Sequence, residues 1–312
     1  MLHINRQNSK SHARRGVTLI ELLVVVSIMA ILVSAAMPVV RFQKEGRKIR
    51  EAARSVNVFL GAARNRAMET GRPCGVLMKP YLDQPCAAML EQVEVPPAYG
   101  GELMTSAVTV KGLGGGSIQA QGDINDSLIS PGDTIQFNHQ GPTYTISSAS
   151  GGTIMASTDV SRGQLLPWTD QPSMPMPFRI LRRPIKSVAS PLTLVGGAVV
   201  DLSGSGIDDG TFGDAAVPVI IMFSPNGSLQ SAYIGSETPI PVIRPLHLLI
   251  GMFEKTGGAD SVAEVPNIAD LSSLWVTIHP QTGMVTSNVM APTDDPLGPR
   301  AFAKQSQSMG ER

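Results

Sequence analysis

One apolar run near the N-terminus constrains the fold of this chain more than any other feature. It comprises the 21 residues between Gly16 and Pro38, all of them apolar or small except Thr18 and Glu21. A helix of this length is about 30 Å long, which is enough to cross the hydrocarbon core of a bilayer. A carboxylate inside such a helix is costly and by default marks a functional position. The run therefore predicts a membrane-spanning helix in which Glu21 has a specific role.

The charges that precede the run predict its orientation. Residues 1–20 contain Arg6, Lys10, Arg14 and Arg15 but no Asp or Glu. Positively charged segments beside a membrane helix remain on the cytoplasmic side. We therefore expect a single-pass protein of the inner membrane, with its N-terminus in the cytoplasm and the bulk of the chain on the extracytoplasmic side.

The start of the run also forms a position-specific motif, which reads Arg14-Arg15-Gly16-Val17-Thr18-Leu19-Ile20-Glu21. This order resembles the leader of type IV prepilins and pseudopilins, in which a short basic segment ends in Gly and precedes a hydrophobic helix. The resemblance implies that a prepilin peptidase/methyltransferase cuts after Gly16 and methylates the new amino group of Val17. The family most often has Phe at the position of Val17, and this chain departs from the pattern there.

Two simpler interpretations of the run are a secretory signal peptide and a plain membrane anchor. Ser34, Ala35 and Ala36 can imitate the small-residue site at which a signal peptide is cut. Neither interpretation accounts for Glu21 or for its fixed distance from Gly16. In a filament, Glu21 can neutralise the amino terminus of a neighbouring subunit, which removes two buried charges together.

The helix is predicted to continue past Pro38 and to stop at Gly71, which is followed by Arg72 and Pro73. Six apolar residues recur at alternating spacings of four and three and predict one buried stripe, formed by Ile49, Ala53, Val56, Leu60, Ala63 and Ala67. The basic residues of this segment lie mostly off the stripe, and a solvated helix face is their expected environment.

The end of this helix is similar to a narrower family, the GspH/FimT-type minor pseudopilins. In that family an arginine-rich helix end with an Ala-Arg-x-x-Ala pattern leads through Gly and Arg into the first strand. Here residues 63–67 read Ala-Arg-Asn-Arg-Ala, and the first strand is predicted at residues 74–78. The resemblance implies a pseudopilin-like domain behind the helix.

After Pro80 the sequence predicts short strands joined by turns. Runs of β-branched or aliphatic residues, bounded by Gly, Pro, Asn or Asp, predict strands at 107–110, 134–137, 143–146, 178–181, 198–202, 217–223, 247–253 and 274–279. Hairpin turns are predicted at 224–228, at 281–283 and around 138–141. The predicted fold is α+β and pilin-like, in which a long transmembrane helix continues into an amphipathic helix that packs on an antiparallel β-rich domain.

These patterns divide the chain into a cytoplasmic leader (1–16), a transmembrane helix (17–40), an amphipathic helix (41–71), an extracytoplasmic β-rich pseudopilin domain (72–292) and a tail (293–312). The tail has few apolar anchors and is predicted to be disordered. The chain is longer than is usual for the family, and the excess between about 80 and 190 is predicted to be an elaboration.

The two cysteines, Cys74 and Cys86, are twelve positions apart in the part predicted to face an oxidising compartment. A disulfide between them would close a short loop and stabilise the fold by about 3 kcal/mol in the chain-entropy model. The alternative is two independent buried thiols. The sequence favours the disulfide because neither cysteine has another partner.

Composition argues against several classes of function. The formal net charge is zero and only 16% of the residues are charged, so no nucleic-acid partner is expected. The five histidines are scattered without ligand-like spacing, and none lies beside a nucleophile signature. We therefore expect no metal, no cofactor, no catalytic residues and no enzymatic activity.

The expected function is that of a structural subunit, a minor pseudopilin assembled into a type II secretion pseudopilus or a type IV pilus. The expected partners are the prepilin peptidase/methyltransferase, other pseudopilins or pilins, the inner-membrane assembly platform and membrane lipid. The alternative is a filament-displayed or membrane-anchored binding module, in which residues 80–190 recognise a ligand or a secreted cargo.

Overall fold

The structure is a computed structural model that describes residues 18–158, 167–235, 239–257, 265–292 and 298–309. The chain separates into two compact units, residues 1–46 and residues 47–312. The long helix α1 (Leu19–Thr70) contributes residues to both units, and a short helix α2 (Ala301–Met309) lies near the C-terminus. The fold is α+β with antiparallel sheets, as the sequence predicts.

The strands of the described residues are all in the second unit. In chain order they are β1 (Cys74–Met78), β2 (Cys86–Ala87), β3 (Met89–Glu94), β4 (Val108–Gly114), β5 (Ser117–Gly122), β6 (Thr134–Phe137), β7 (Thr143–Ser150), β8 (Thr153–Ser157), β9 (Phe178–Leu181), β10 (Ile185–Lys186), β11 (Leu192–Thr193), β12 (Ala198–Ile207), β13 (Val219–Phe223), β14 (Leu229–Ile234), β15 (Ile240–Pro241), β16 (Leu246–Met252), β17 (Leu274–Ile278) and β18 (Val285–Val289). Short 3₁₀ turns occur at Asp126–Leu128, Phe253–Lys255 and Asn267–Ala269.

The part of α1 that belongs to the second unit packs through the predicted stripe. All six stripe residues are at most 1% exposed, which confirms the helical spacing seen in the sequence. They share one hydrophobic core with two sheets, in the orders β10-β3-β1-β13-β14-β15 and β18-β17-β16-β12-β2. The helix ends at Thr70, and Gly71 follows with φ of +64°, the left-handed conformation that commonly closes a helix.

A third sheet, in the order β4-β5-β8-β7-β6-β9, is inserted between two strands of the first. It has a hydrophobic core of its own, separate from the core around α1. The chain leaves the first sheet after Glu94 and returns at Ile185, and these two residues are paired on β3 and β10. The two linkers are joined as well, since Arg182 donates from Nε and Nη2 to the carbonyl oxygen of Pro97 (3.2 and 3.0 Å).

The three predicted hairpins are confirmed. Residues 224–228 join β13 to β14, residues 281–283 join β17 to β18, and residues 138–141 join β6 to β7. Gly227 and Gly283 have φ of +85° and +62°, which explains why both turns need glycine.

The prediction of a disordered tail at 293–312 is wrong for residues 298–309. The segment forms α2, in which Ala301 and Ala303 are buried. Arg300, only 6% exposed, donates from Nη2 to the carbonyl oxygen of Gly204 (2.7 Å). A buried guanidinium and two small side chains anchor the tail, and none of these three is a large apolar residue.

A buried polar network lies where β12 shifts register against β16, between Asp201 and Gly206. The Asp201 carboxylate accepts hydrogen bonds from Ser203 Oγ (2.6 Å) and from Asn267 Nδ2 (2.8 Å). Asn267 Oδ1 accepts the backbone N–H of Met252 (2.9 Å). Burial raises the pKa of Asp201, while these hydrogen bonds oppose the shift. At the register shift itself, Asp201 Oδ1 accepts the N–H of Gly204 (3.4 Å) and Ser205 Oγ accepts the N–H of Leu249 (2.9 Å), so side chains satisfy backbone groups there.

His247 on β16 is fully buried beside this network. Its Nδ1 lies 3.0 Å from Thr277 Oγ1, and its Nε2 has no hydrogen-bond partner among the described residues. Burial, together with the positive charges of Arg300 and Lys304, lowers the pKa of His247 from 6.5 to about 4. The folded protein therefore holds this imidazole neutral at pH values where the unfolded chain protonates it.

The first prediction concerns acid stability. Between about pH 6.5 and pH 4 the unfolded chain binds a proton that folded His247 does not, so the free energy of unfolding falls as the pH falls through that window. The decrease in the free energy of unfolding that is due to His247 should reach roughly 3 kcal/mol at pH 4 and remain constant below that pH. His247→Asn, which can retain the bond to Thr277, should show a smaller loss of stability between pH 6.5 and pH 4 in chemical denaturation.

The control is His139→Asn. His139 is an exposed turn residue with φ of +56°, a backbone conformation that asparagine tolerates. This variant should retain the acid sensitivity of the wild type. An equal pH dependence of stability in wild type and His247→Asn would contradict the assignment.

The second prediction tests the buried stripe. Val56→Asp and Leu60→Asp each place an unpaired charge in the core around α1, and each should lower the free energy of unfolding by about 4 kcal/mol or more. Val58→Asp is the matched control, because Val58 lies on the same helix with 66% of its surface exposed. Denaturation of the full-length protein in detergent, followed by the fluorescence of Trp168 and Trp275, measures all three. Equal stability of the stripe variants and the control would show that the stripe is solvated.

Candidate functional site

The first described residues of the chain cap the start of α1. Thr18 Oγ1 accepts the backbone N–H of Glu21 (3.3 Å), and the Thr18 carbonyl accepts the N–H of Leu22 (3.1 Å). Threonine before the helix with glutamate three residues later is the capping-box pattern. Glu21 also lies in the first turn, where the helix dipole favours a negative charge. Two residues of the N-terminal motif therefore also define where the helix begins.

The surface of α1 from Leu19 to Val33 is almost entirely aliphatic. Twelve large apolar side chains between Leu19 and Val33 are each 48% to 82% exposed. The hydroxyls of Ser27 and Ser34 donate to carbonyl oxygens of the same helix, at 2.8 Å in each case. From residue 19 to residue 40, Glu21 is the one ionisable residue of the sequence. The helix thus satisfies its own polar groups and leaves a single carboxylate on an apolar surface.

The predicted cleavage site itself, Gly16 and Val17, lies outside the described residues. Within the described part of the chain, no helix meets the length and apolarity required of a membrane span.

One family model matches the chain. It is the prokaryotic N-terminal methylation motif, which matches residues 11–37 and therefore includes Gly16, Val17 and Glu21. No curated protein and no solved structure matches the chain. The motif indicates a type IV pilin-like prepilin, and it implies processing by a prepilin peptidase and assembly with other pilins. It is typical of membrane-anchored pilins.

The predicted disulfide is wrong. Cys74 and Cys86 are both buried and both free. Cys74 lies on β1 of the first sheet, where its Sγ is 3.7 Å from Thr70 Oγ1, whereas Cys86 lies on β2 of the second sheet. Burial raises the pKa of Cys86 to about 11, so its thiol is protonated and unreactive at neutral pH. The alternative of two independent buried thiols describes the structure.

Two arginines of α1 have a role that the sequence analysis missed. Arg64 Nε donates to the carbonyl oxygen of Gly227 (3.1 Å), and a side chain at Gly283 would clash with that same oxygen. The turns of both C-terminal hairpins therefore meet at Arg64. Arg66 forms an ion pair with Glu94 of β3 (3.0 Å). The expected solvated environment is wrong for these two arginines, because the sequence gives no sign of which distant turns approach the helix.

The other basic residues that α1 contributes to the second unit are exposed, as expected from the sequence. They are Arg47, Lys48, Arg50 and Arg54. In the second unit, α1 therefore presents one apolar stripe, two arginines that contact strands and turns, and a solvated basic face.

Proposed function

We propose that this protein is a minor pseudopilin, a structural subunit of a type II secretion pseudopilus or a type IV pilus. It is made with a leader of residues 1–16, cut after Gly16, methylated on Val17 and anchored in the inner membrane by residues 17–40. The observation that carries the proposal is the N-terminal methylation motif at residues 11–37, together with Glu21 as the single ionisable residue between positions 19 and 40.

Membrane anchoring is supported by the chemistry of the first half of α1. Its exposed aliphatic side chains need an apolar environment, and its backbone and serine hydroxyls are satisfied within the helix. The basic leader favours a cytoplasmic N-terminus. Residues 72–292 then constitute the extracytoplasmic domain, and the inner-membrane assembly platform receives the subunit from the bilayer.

Glu21 acts in subunit docking. Removal of the leader exposes an amino terminus, and N-methylation leaves that amine able to carry a positive charge. Two unit charges about 4 Å apart attract each other by about 4 kcal/mol at an effective dielectric constant of 20. Pairing of Glu21 with the amino terminus of a neighbouring subunit removes the two charges from the apolar filament core together.

The narrower resemblance to GspH/FimT-type minor pseudopilins is supported by the end of α1. The stretch at 63–67 contributes Arg64, which contacts the C-terminal hairpin turns, and Arg66, which pairs with β3. The arginine-rich helix end is therefore a packing element that positions the strands behind it, which gives a physical reason for its composition.

A second candidate function is a binding module displayed on the filament or at the membrane. The observation that favours it is the inserted third sheet, which has its own core and forms one wall of a cavity against the first sheet.

The third prediction concerns processing. The mature protein should begin at Val17 and carry one additional methyl group on its amino terminus, because the motif places the peptidase site between Gly16 and Val17. Intact-mass measurement on protein extracted from membranes of cells that contain the peptidase decides this. A chain that begins at Met1 or after Ala36 in those cells would reject the assignment.

The fourth prediction separates the charge of Glu21 from its position in the capping box. Glu21→Ala removes the charge and the favourable capping residue, whereas Glu21→Gln removes the charge alone, since glutamine also suits this position. Both variants should insert and be cleaved, because loss of a charge eases insertion. Both should be depleted from the sheared filament fraction relative to their level in the membrane.

Thr18→Ala provides the matched control, because it removes the cap and leaves the carboxylate. This variant should enter filaments better than either Glu21 variant. Normal incorporation of Glu21→Gln, with loss only in Glu21→Ala, would assign Glu21 to helix capping. Normal incorporation of both would remove the main physical support for the structural-subunit proposal.

A further inference from the structure

A cavity of about 500 Å³ lies between the first sheet and the inserted third sheet. One wall includes Arg72, Ser231 and Tyr233, and the other includes Thr134, Thr145 and Arg183. Ligand-binding sites are usually cavities of roughly 300 to 1,000 Å³, and they occur preferentially where separately folded parts of a protein meet. The prolines of the linker, Pro96 and Pro97, also line the cavity and restrict its backbone.

Arg183 is held in a fixed position within this cavity. Its backbone N–H donates to Asp133 Oδ1 (2.7 Å), and its guanidinium lies 5.7 Å from the centre of the Tyr233 ring. The guanidinium also approaches Gly132 so closely that a Cβ there would be 2.7 Å from Arg183 Nη1. Gly132 has φ of +91°, which favours glycine independently. The backbone and the aromatic ring therefore orient the charge before any ligand arrives.

Arg72 and Arg183 have no carboxylate partner within 4 Å among the described residues, although both are half-buried. Other half-buried arginines of the same unit have an oxygen acceptor, for example Arg66 with the Glu94 carboxylate and Arg182 with the carbonyl oxygen of Pro97. A half-buried guanidinium loses hydration that a counter-ion can replace, and its planar donors match a carboxylate bidentately. Two arginines that line one cavity and have no carboxylate partner among the described residues favour an anion there.

The size and the apolar lining of the cavity favour an anionic ligand larger than a simple inorganic ion. A water molecule occupies about 30 Å³ in the liquid, so a simple inorganic anion would leave most of this space unfilled. Tyr233 and the linker prolines offer apolar surface, and the threonine and serine hydroxyls offer hydrogen bonds to a backbone. We infer that the cavity binds an extended peptide segment with carboxylate side chains, contributed by another protein. The inference deepens the second candidate function and does not depend on filament assembly.

The fifth prediction tests this binding with full-length protein in detergent micelles. The probe is a fluorescent tetraglutamate peptide capped at both ends, and the tetraglutamine peptide is its uncharged counterpart. Tetraglutamate should bind, and tetraglutamine should bind about tenfold more weakly or worse. Arg72→Gln and Arg183→Gln should each weaken tetraglutamate binding by about tenfold or more, because each removes a charge-assisted contact.

Arg50→Gln is the matched control, since Arg50 is exposed on α1 and does not line the cavity. Its affinity for tetraglutamate should equal that of the wild type. Gly132→Ala should weaken binding as well, because the added methyl displaces the Arg183 guanidinium. If Arg183→Gln fails to fold, Arg72→Gln and Arg183→Lys supply the test, and the lysine variant should retain only part of the affinity.

Equal binding of the two peptides, or unchanged binding in both arginine variants, would overturn the inference. Inorganic phosphate provides a further arm. Displacement of tetraglutamate by an equal concentration of phosphate would assign the cavity to simple anions and reject a peptide ligand. These results concern the cavity alone, so they leave processing at Gly16 and the role of Glu21 untouched.

Discussion

The burial of one apolar stripe of α1 against two antiparallel sheets is the interaction on which the second unit depends. Its six residues are at most 1% exposed and share a single core with β1, β12, β13, β16 and β17. Full burial of a large aliphatic side chain contributes about 1.5–3 kcal/mol, and the alanines allow strands to approach the helix closely. Because the stripe fixes the helix, Arg64 and Arg66 can hold the C-terminal hairpin turns and β3 at defined positions.

In the first half of the same helix, the apolar side chains are exposed and not buried. Between Leu19 and Val33 its aliphatic side chains are exposed, and its own carbonyls satisfy the serine hydroxyls. Only Glu21 is then without compensation in an apolar environment. The proposed function assigns that compensation to the amino terminus of another subunit, so the residue that makes the helix costly in isolation is the one that favours assembly.

The inserted third sheet has a separate core and forms a cavity with the first sheet. Since it has its own core, the packing of α1 does not require it. Its two linkers are hydrogen-bonded to each other, and the cavity between the two sheets is lined by Arg72 and Arg183, which have no carboxylate partner among the described residues. An insertion with a separate core can acquire a binding surface at its junction while the stripe of α1 and its two sheets remain unchanged.

The sequence by itself determined the features that depend on local pattern. Helical spacing identified the stripe, Gly71 marked the helix end, and turn chemistry located the hairpins and the strands at 74–78, 134–137 and 178–181. Tertiary structure decided what depends on residues far apart in the chain. Twelve positions separate Cys74 from Cys86, yet they lie on different sheets. Arg72 and Arg183 are distant in sequence, yet they line one cavity. Sheet pairing is set by non-local contacts, and no local period or spacing encodes which strands or turns will meet.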